Sequence, residues 1–508
     1  MKHLFYVLLA ASLLWSCGNS KTKPKKPNII YFLADDLGYG EVGVYGQEKI
    51  QTPNMDALAN NGMIFTQHYS GAPVCAPSRY MFLTGKHSGH AYIRGNDEWN
   101  ERGDVWNYAA VSEDPSLEGQ RPIPNSTITI GHQLQKAGYK TSLFGKWGLG
   151  APESDGIPNL QGFDYFYGYN CQRQAHNLYP PHLWENTEKD ILKNELVAPR
   201  TKLDSLADPY DENSYAKYNQ KDYAPERIHD KALDFMTKNK DNSFFMYYAS
   251  PLPHLPLQAP KEFVEKYRKQ FGGEEPYLGN KGYFPNRHPR ATYAAMIDYL
   301  DHQLGELVEK LKELDIYENT IIILSSDNGP TYTGGVDFDY FESSKPFANG
   351  YGRTKGYTYE GGIRVPFIAS WPNKIEAGST SDHISAFYDM MPTICDIAGA
   401  ETPQNVDGKS FMAELLGKEQ EPHEFLYWEF PSYKGQQAVR LGKWKGVRKN
   451  IFDGNLDIEL YDLDNDILEQ NNLATHHPDV VKKIAEIMTQ EHEPAENDRF
   501  KFTQLGDK

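Results

Sequence analysis

The chain has 508 residues, of which 39% are hydrophobic, and a formal net charge of −17 at pH 7. That length supplies a substantial core with room for a second, smaller unit, and the composition excludes a wholly disordered chain. An acidic body excludes nucleic acid as the general partner, so an anionic ligand must be drawn by a local cluster of Lys, Arg and metal.

In chain order, Lys2 precedes an apolar stretch from Leu4 to Leu14, too short to span a bilayer, which ends in Leu14-Trp15-Ser16-Cys17. This segment resembles a bacterial lipoprotein signal. The resemblance implies removal of residues 1–16, a lipidated Cys17 and an envelope location held by the lipid anchor alone, with the periplasmic face favoured; a plain secretory signal peptide is the alternative. Residues 17–27 form a Lys/Pro-rich tether.

Beyond the tether, apolar runs rich in β-branched and aromatic residues alternate with helix-like stretches, the pattern of an α/β domain whose sheet is buried on both faces. Residues 28–34 predict the first strand, and Thr52-Pro53 with Met55, Leu58, Ala59 and a closing Gly62 predicts a capped helix. Residues 138–144, 243–249, 320–325 and 365–370 predict further strands. Residues 291–314 predict a long amphipathic helix with Tyr293, Ile297, Leu300, Leu304, Leu307 and Leu311 at helical spacing. After residues 399–417 the texture changes to short strands at 425–430, 437–441 and 458–461, then a helix at 478–491. The expected division is a large domain over 28–420 and a small antiparallel subdomain over 421–508.

Four predicted strands run directly into polar residues: Asp35-Asp36, Lys146, His254 and Asp327-Asn328. Any one alone reads as a loop residue or helix cap. Together they fit the rule that open α/β sheets bind ligands beyond the carboxyl ends of their strands. Asp35, Asp36, Asp327 and Asn328 offer only oxygen ligands, which suits calcium, or less well magnesium, and not zinc. Cys75 opens a segment with Pro77 in a first helical turn and Tyr80, Met81 and Leu83 before Gly85, which puts it at a helix N-terminus, where negative charge is favoured. A lone cysteine is more often a small buried hydrophobe. Cys171 and Cys395 form no metal-spaced or redox motif and are expected as buried thiols, with a disulfide left open.

Cys75-Ala76-Pro77-Ser78-Arg79 with Leu83-Thr84-Gly85, then Gly145-Lys146-Trp147, Asp327-Asn328-Gly329, Lys355-Gly356 and Glu360-Gly361-Gly362-Ile363-Arg364-Val365-Pro366, resemble in order the blocks of the formylglycine-dependent sulfatases of the alkaline phosphatase superfamily. The likeness runs from Pro27 to about Leu473. It implies an α/β fold with a large mixed, mostly parallel sheet sandwiched by helices and a smaller C-terminal antiparallel-sheet subdomain. It also implies oxidation of Cys75 to formylglycine by a formylglycine-generating or anaerobic maturation enzyme. In the roles it implies, Asp35, Asp36, Asp327, Asn328 and modified Cys75 hold calcium, and Arg79 steadies the modified side chain. Lys146 and Lys355 grip the sulfate, and His254 protonates the leaving oxygen. A hydrated aldehyde then offers one hydroxyl to attack sulfur and a second to expel sulfate.

One block departs from the family pattern, because Gly148 stands where a histidine is usual. His176 is a candidate replacement or substrate contact, and reads equally as a loop histidine. Arg94, Asn96 and Arg173 are candidate substrate contacts. The stretch 165–223, with Tyr165, Phe166, Tyr167, Tyr169, Tyr179 and Trp184, reads first as packing and second as a sugar-stacking surface. The expected activity is exo-acting hydrolysis of sulfated glycans at galactose or N-acetylgalactosamine sulfate. The alternatives are a phosphonate or phosphodiester hydrolase of the same superfamily and a non-catalytic glycan-binding lipoprotein.

Overall fold

The run Asn28–Ala34 is apolar at six of seven positions and folds into a strand in which all seven residues are buried. Such a strand needs cover on both faces of its sheet. The structure is a computed structural model that describes residues 26–508; the expected signal, Cys17 and nearly all of the tether lie outside the described residues.

Among the described residues the strands are β1 (Asn28–Ala34), β2 (Met63–Phe65), β3 (His68–Tyr69), β4 (Lys140–Lys146), β5 (Tyr165–Tyr169), β6 (His182–Glu185), β7 (Glu188–Ile191), β8 (Phe244–Ala249), β9 (Thr320–Ser326), β10 (Phe367–Ser370), β11 (Ser379–Ser381), β12 (Ser385–Ala386), β13 (Leu426–Phe430), β14 (Gln436–Leu441), β15 (Trp444–Lys449) and β16 (Ile458–Asp462). Ten form one mixed sheet in the order β11-β2-β10-β9-β1-β8-β4-β5-β6-β7. Its centre, β9-β1-β8-β4-β5, is parallel throughout. β10 and the β6–β7 hairpin run against their neighbours.

The alternation of a strand assigns successive residues of β1 to opposite faces. Ile30, Phe32 and Ala34 join one core with the helices Pro53–Asn60, Ala224–Asn239 and Pro289–Glu313. Ile29, Tyr31 and Leu33 join the other with the helices Cys75–Thr84, Ile130–Lys136 and Met390–Ala398. This is the α/β layering read from the sequence.

Several boundaries move for local reasons. The strand expected at 138–144 is β4, which starts at Lys140 because Gly138 turns with φ 86°. Lys146 therefore ends the strand instead of following it. The strand expected from 365 starts at Phe367, after Pro366, which has no N–H for a ladder. The aromatics singled out in 165–223 are mostly packing: Tyr165–Tyr169 is a strand of the main sheet, and Phe166, Tyr167, Tyr169, Tyr179 and Trp184 are buried in the two cores. Cys171 and Cys395 are buried and free.

β13 to β16 form a four-stranded antiparallel sheet. The helix Pro478–Gln490 covers one face through Ile484, Ile487 and Met488. The other face packs on the large domain around Trp428, Tyr69 and Ile363. A buried ion pair crosses that seam: Lys445 Nζ lies 2.8 Å from Glu360 Oε1 and 3.8 Å from Glu469 Oε1. Removing one member strands the others without compensation. Lys445→Ala should therefore cost about 3–5 kcal/mol in denaturant unfolding, and a cost below about 1 kcal/mol would show that the seam does not depend on the pair.

Candidate active site

Parallel register sets the site. Ala34 pairs with Ser326, Leu33 with Ala249, and Gly145 with Ala249. The next residues along, Asp35, Asp327, Ser250 and Lys146, therefore emerge side by side at one edge. Backbone bonds continue the ladder: Asp327 N–H donates to Ala34 O at 3.1 Å, and Asp35 N–H to Leu252 O at 2.9 Å. A Cβ on Gly145 would meet Ala249 O at 1.9 Å, so only glycine lets β4 and β8 close here.

Cys75 is the first residue of the helix Cys75–Thr84, every residue of which is buried. The free N–H of Ala76 donates to Asn96 Oδ1 at 3.2 Å, and the same oxygen accepts from Gln172 Nε2 at 3.1 Å. Asn96 thus steadies the helix start that presents Cys75.

The side chains meet as interleaved charges. Lys146 Nζ is 2.6 Å from Asp35 Oδ2, and Lys355 Nζ is 2.6 Å from both oxygens of Asp36. Arg79 Nε and Nη2 each reach Asp327 Oδ2 at 2.9 Å, and Nη2 lies 3.5 Å from Asp35. Cys75 Sγ is 3.4 Å from Asp35 Oδ1 and 3.7 Å from Lys355 Nζ. His254 Nε2 stands 3.7 Å from Asp36, and its Nδ1–H donates to Leu255 O at 2.7 Å. The His176 ring stacks on His254 at 5.2 Å, and Tyr283 meets both histidines edge-on.

Burial acts on Cys75, Asp35, Asp327 and the two histidines. It raises the Cys75 thiol well above its usual range, and Asp35 adds to the rise. Burial would raise Asp35 too, but Lys146, His254, Arg79 and Lys355 hold it far below the carboxylate range. Asp327 is pushed up to about 7 by burial and by Asp35, against the pull of Arg79. His254 and His176 are driven down by burial and by their cationic neighbours.

Asn328 Nδ2 donates to Asp36 Oδ1 at 2.8 Å, while its buried Oδ1 has no hydrogen-bond partner. An orphaned acceptor among three carboxylates needs a positive partner. Ligand atoms of Asp35, Asp36, Cys75 and His254 lie within 4.8 Å of one another, close enough to hold a metal ion. The oxygen donors of Asp35, Asp36, Asp327 and Asn328 fit a hard divalent cation.

Other expected residues are placed elsewhere. Arg94 is buried, and its Nε and Nη1 are committed to Ala91 O, Glu429 and Glu493 O, so it braces the C-terminal sheet. Arg173 stacks on Trp106 at 4.1 Å and donates to Val105 O and Trp106 O. Gly148 has φ 78°, and a Cβ there would stand 2.8 Å from Gln172 Cγ. Gln172 fills the room that a side chain at 148 would need. Tyr283, in the aperiodic loop Gly279-Asn280-Lys281-Gly282-Tyr283, gave no sequence signal; its left-handed backbone, φ 61°, marks it only in the structure.

Fold and site together define an α/β hydrolytic enzyme for an anionic ester. The sulfatase family model matches residues 27–400, and a model described as N-sulphoglucosamine sulphohydrolase, C-terminal, matches 352–495. Arylsulfatase A of Homo sapiens is 32% identical over 450 residues, covering 85% of this chain and 77% of that protein. N-acetylgalactosamine-6-O-sulfatase of Bacteroides thetaiotaomicron is 27% identical, with 96% and 98% covered. The crystal structure of Ps i-CgsB in complex with k-i-k-neocarrahexaose matches with a TM-score of 0.72 at 26% identity, over 92% of this chain and 94% of that one. The chain belongs to the sulfatase family, as an alkaline-phosphatase-like sulfuric ester hydrolase.

Arg79 is the fork that sets Asp327 against Asp35, and the point charge of lysine cannot reproduce a planar guanidinium that reaches both carboxylates. Arg79→Lys should lower sulfate release by about 10²-fold, the scale of a misplacement near 1 Å. Near-normal turnover would remove Arg79 from the positioning of the site.

Proposed function

We propose that the protein is an exo-acting carbohydrate sulfatase that releases sulfate from galactose or N-acetylgalactosamine ends of sulfated glycans, with formylglycine made from Cys75 and a calcium ion. The carrying observation is the convergence of Cys75, Lys146, Lys355 and His254 on one buried edge. The carbohydrate part is supported by the N-acetylgalactosamine-6-O-sulfatase relative and by the neocarrahexaose complex of the structural neighbour. Anchoring through Cys17 at the periplasmic face and maturation by a formylglycine-generating or anaerobic enzyme complete the proposal.

Calcium held by Asp35, Asp36, Asp327 and Asn328 would supply Lewis acidity and charge neutralisation. Formylglycine would supply an oxygen nucleophile that can later leave as the aldehyde, which a thiol held protonated by its surroundings cannot do. Lys146 and Lys355 bind the sulfate oxygens and stabilise the charge that grows there. Asn96 holds the helix start that carries residue 75, and Arg79 holds Asp327. Because His254 Nδ1 donates to Leu255 O, the proton given to the leaving oxygen sits on Nε2. Burial and Lys355 disfavour the imidazolium, and an arriving sulfate ester opposes both. His176, stacked flat on His254, is assigned to the leaving-group sugar.

A poor leaving group needs the acid and a good one does not. His254→Ala should cost about 10²–10⁴-fold on a sugar sulfate and far less on 4-nitrophenyl sulfate; equal losses would remove His254 from that role. A panel of singly sulfated monosaccharides and disaccharides tests the substrate class. Sulfate release from at least one sugar is expected, and activity confined to aryl sulfates, or turnover of phenyl phosphonate instead, would contradict the reading.

A further inference from the structure

Four tyrosines from three separate segments gather beside Lys355. Tyr332 follows β9, Tyr351 and Tyr357 flank Lys355 in the chain, and Tyr433 lies in the turn between β13 and β14. Their rings form a continuous edge-to-face series, with Tyr332–Tyr351 at 5.4 Å, Tyr351–Tyr357 at 5.6 Å and Tyr357–Tyr433 at 5.3 Å between centroids.

The inner end of the series touches the catalytic edge. A Cβ on Gly356 would stand 2.9 Å from Tyr433 Cζ, and the N–H of Gly356 donates to Pro73 O at 2.8 Å, two residues before Cys75. The series is open to solvent along its other side, with Tyr351 75% exposed and even Tyr433 47% exposed. Rings that served only as core would not stand so far into solvent. Tyr433 and Lys434 both hold left-handed backbone, φ 48° and 71°, which residues with a side chain seldom adopt. The turn is therefore set by its surroundings, and it sets the Tyr433 ring over Gly356.

We infer that this tyrosine series is the stacking platform for the sugar chain that carries the sulfate ester. The inference rests on the carbohydrate reading and narrows it to a surface. Aromatic faces pack on the C–H faces of sugars, and phenol hydroxyls bond sugar hydroxyls. Phe166, Tyr167, Tyr169, Tyr179 and Trp184 are buried and cannot do this.

The test uses the matured, full-length protein and its Tyr351→Ala, Tyr433→Ala and Tyr433→Phe variants. Substrates are 4-nitrophenyl sulfate and sulfated oligosaccharides from chondroitin sulfate and carrageenan digests. For the best oligosaccharide, the ratio of its kcat/KM to that of 4-nitrophenyl sulfate should fall about 10-fold in each alanine variant, mainly through KM. Tyr433→Phe, which keeps the ring, should retain more of the ratio than Tyr433→Ala. Tyr351→Ala guards against misfolding, because that side chain is mostly in solvent. An unchanged ratio overturns the platform while glycan hydrolysis by the wild type stands. Wild-type activity on 4-nitrophenyl sulfate with none on any oligosaccharide overturns the platform and the carbohydrate reading together, and leaves the sulfatase chemistry intact.

Discussion

Three carboxylates, Asp35, Asp36 and Asp327, are buried at one edge of the sheet, and each is matched by a cation: buried Lys146 and Arg79, and part-buried Lys355. Unpaired charges in such a place would be costly, and breaking a buried pair is strongly destabilising. The loops around the edge are organised to keep this balance. Asp36 takes a left-handed backbone, φ 68°, with its N–H on Asp327 Oδ1 at 3.1 Å. Lys355 is held by its own N–H on Pro330 O at 3.2 Å. The result is a polar centre with fixed geometry, and its lysines can serve an anionic ester only where the aspartates have another positive partner.

The small C-terminal sheet belongs to the same arrangement. Gln436 on β14 donates from Nε2 to Gly356 O at 2.8 Å and accepts from Thr358 N–H at 3.1 Å. One amide thereby clamps the loop on both sides of Gly356 and holds Lys355 at the edge. Lys445 and Glu360 lock the same sheet to the large domain. The antiparallel unit is thus a brace for a catalytic loop and, through Tyr433, part of the site's rim.

Much of this was legible in the sequence. The polar residues at the carboxyl ends of β1, β4, β8 and β9 could be read because a parallel sheet brings strand ends together whatever the spacing between them. The helix start at Cys75 was equally local, since Pro77 and Gly85 bound it. Arg94 was not legible, because its fate depends on Glu429, 335 residues away. The aromatics at 165–169 do not read as a strand in the sequence, because period alone does not tell a buried strand from a packed loop. Gly148 pointed to a missing group, whereas the structure fills that space with Gln172 from another segment.

Cys75 holds the centre of this balance, buried beside Asp35, and both burial and that carboxylate raise its pKa. The account requires that the active protein carry a different group at this position. Mass spectrometry of the peptide containing Cys75, on protein purified by its sulfate-releasing activity, tests this most directly. The account predicts an aldehyde in place of the thiol, in a fraction that tracks specific activity. Fully active protein with an unmodified Cys75 would contradict it.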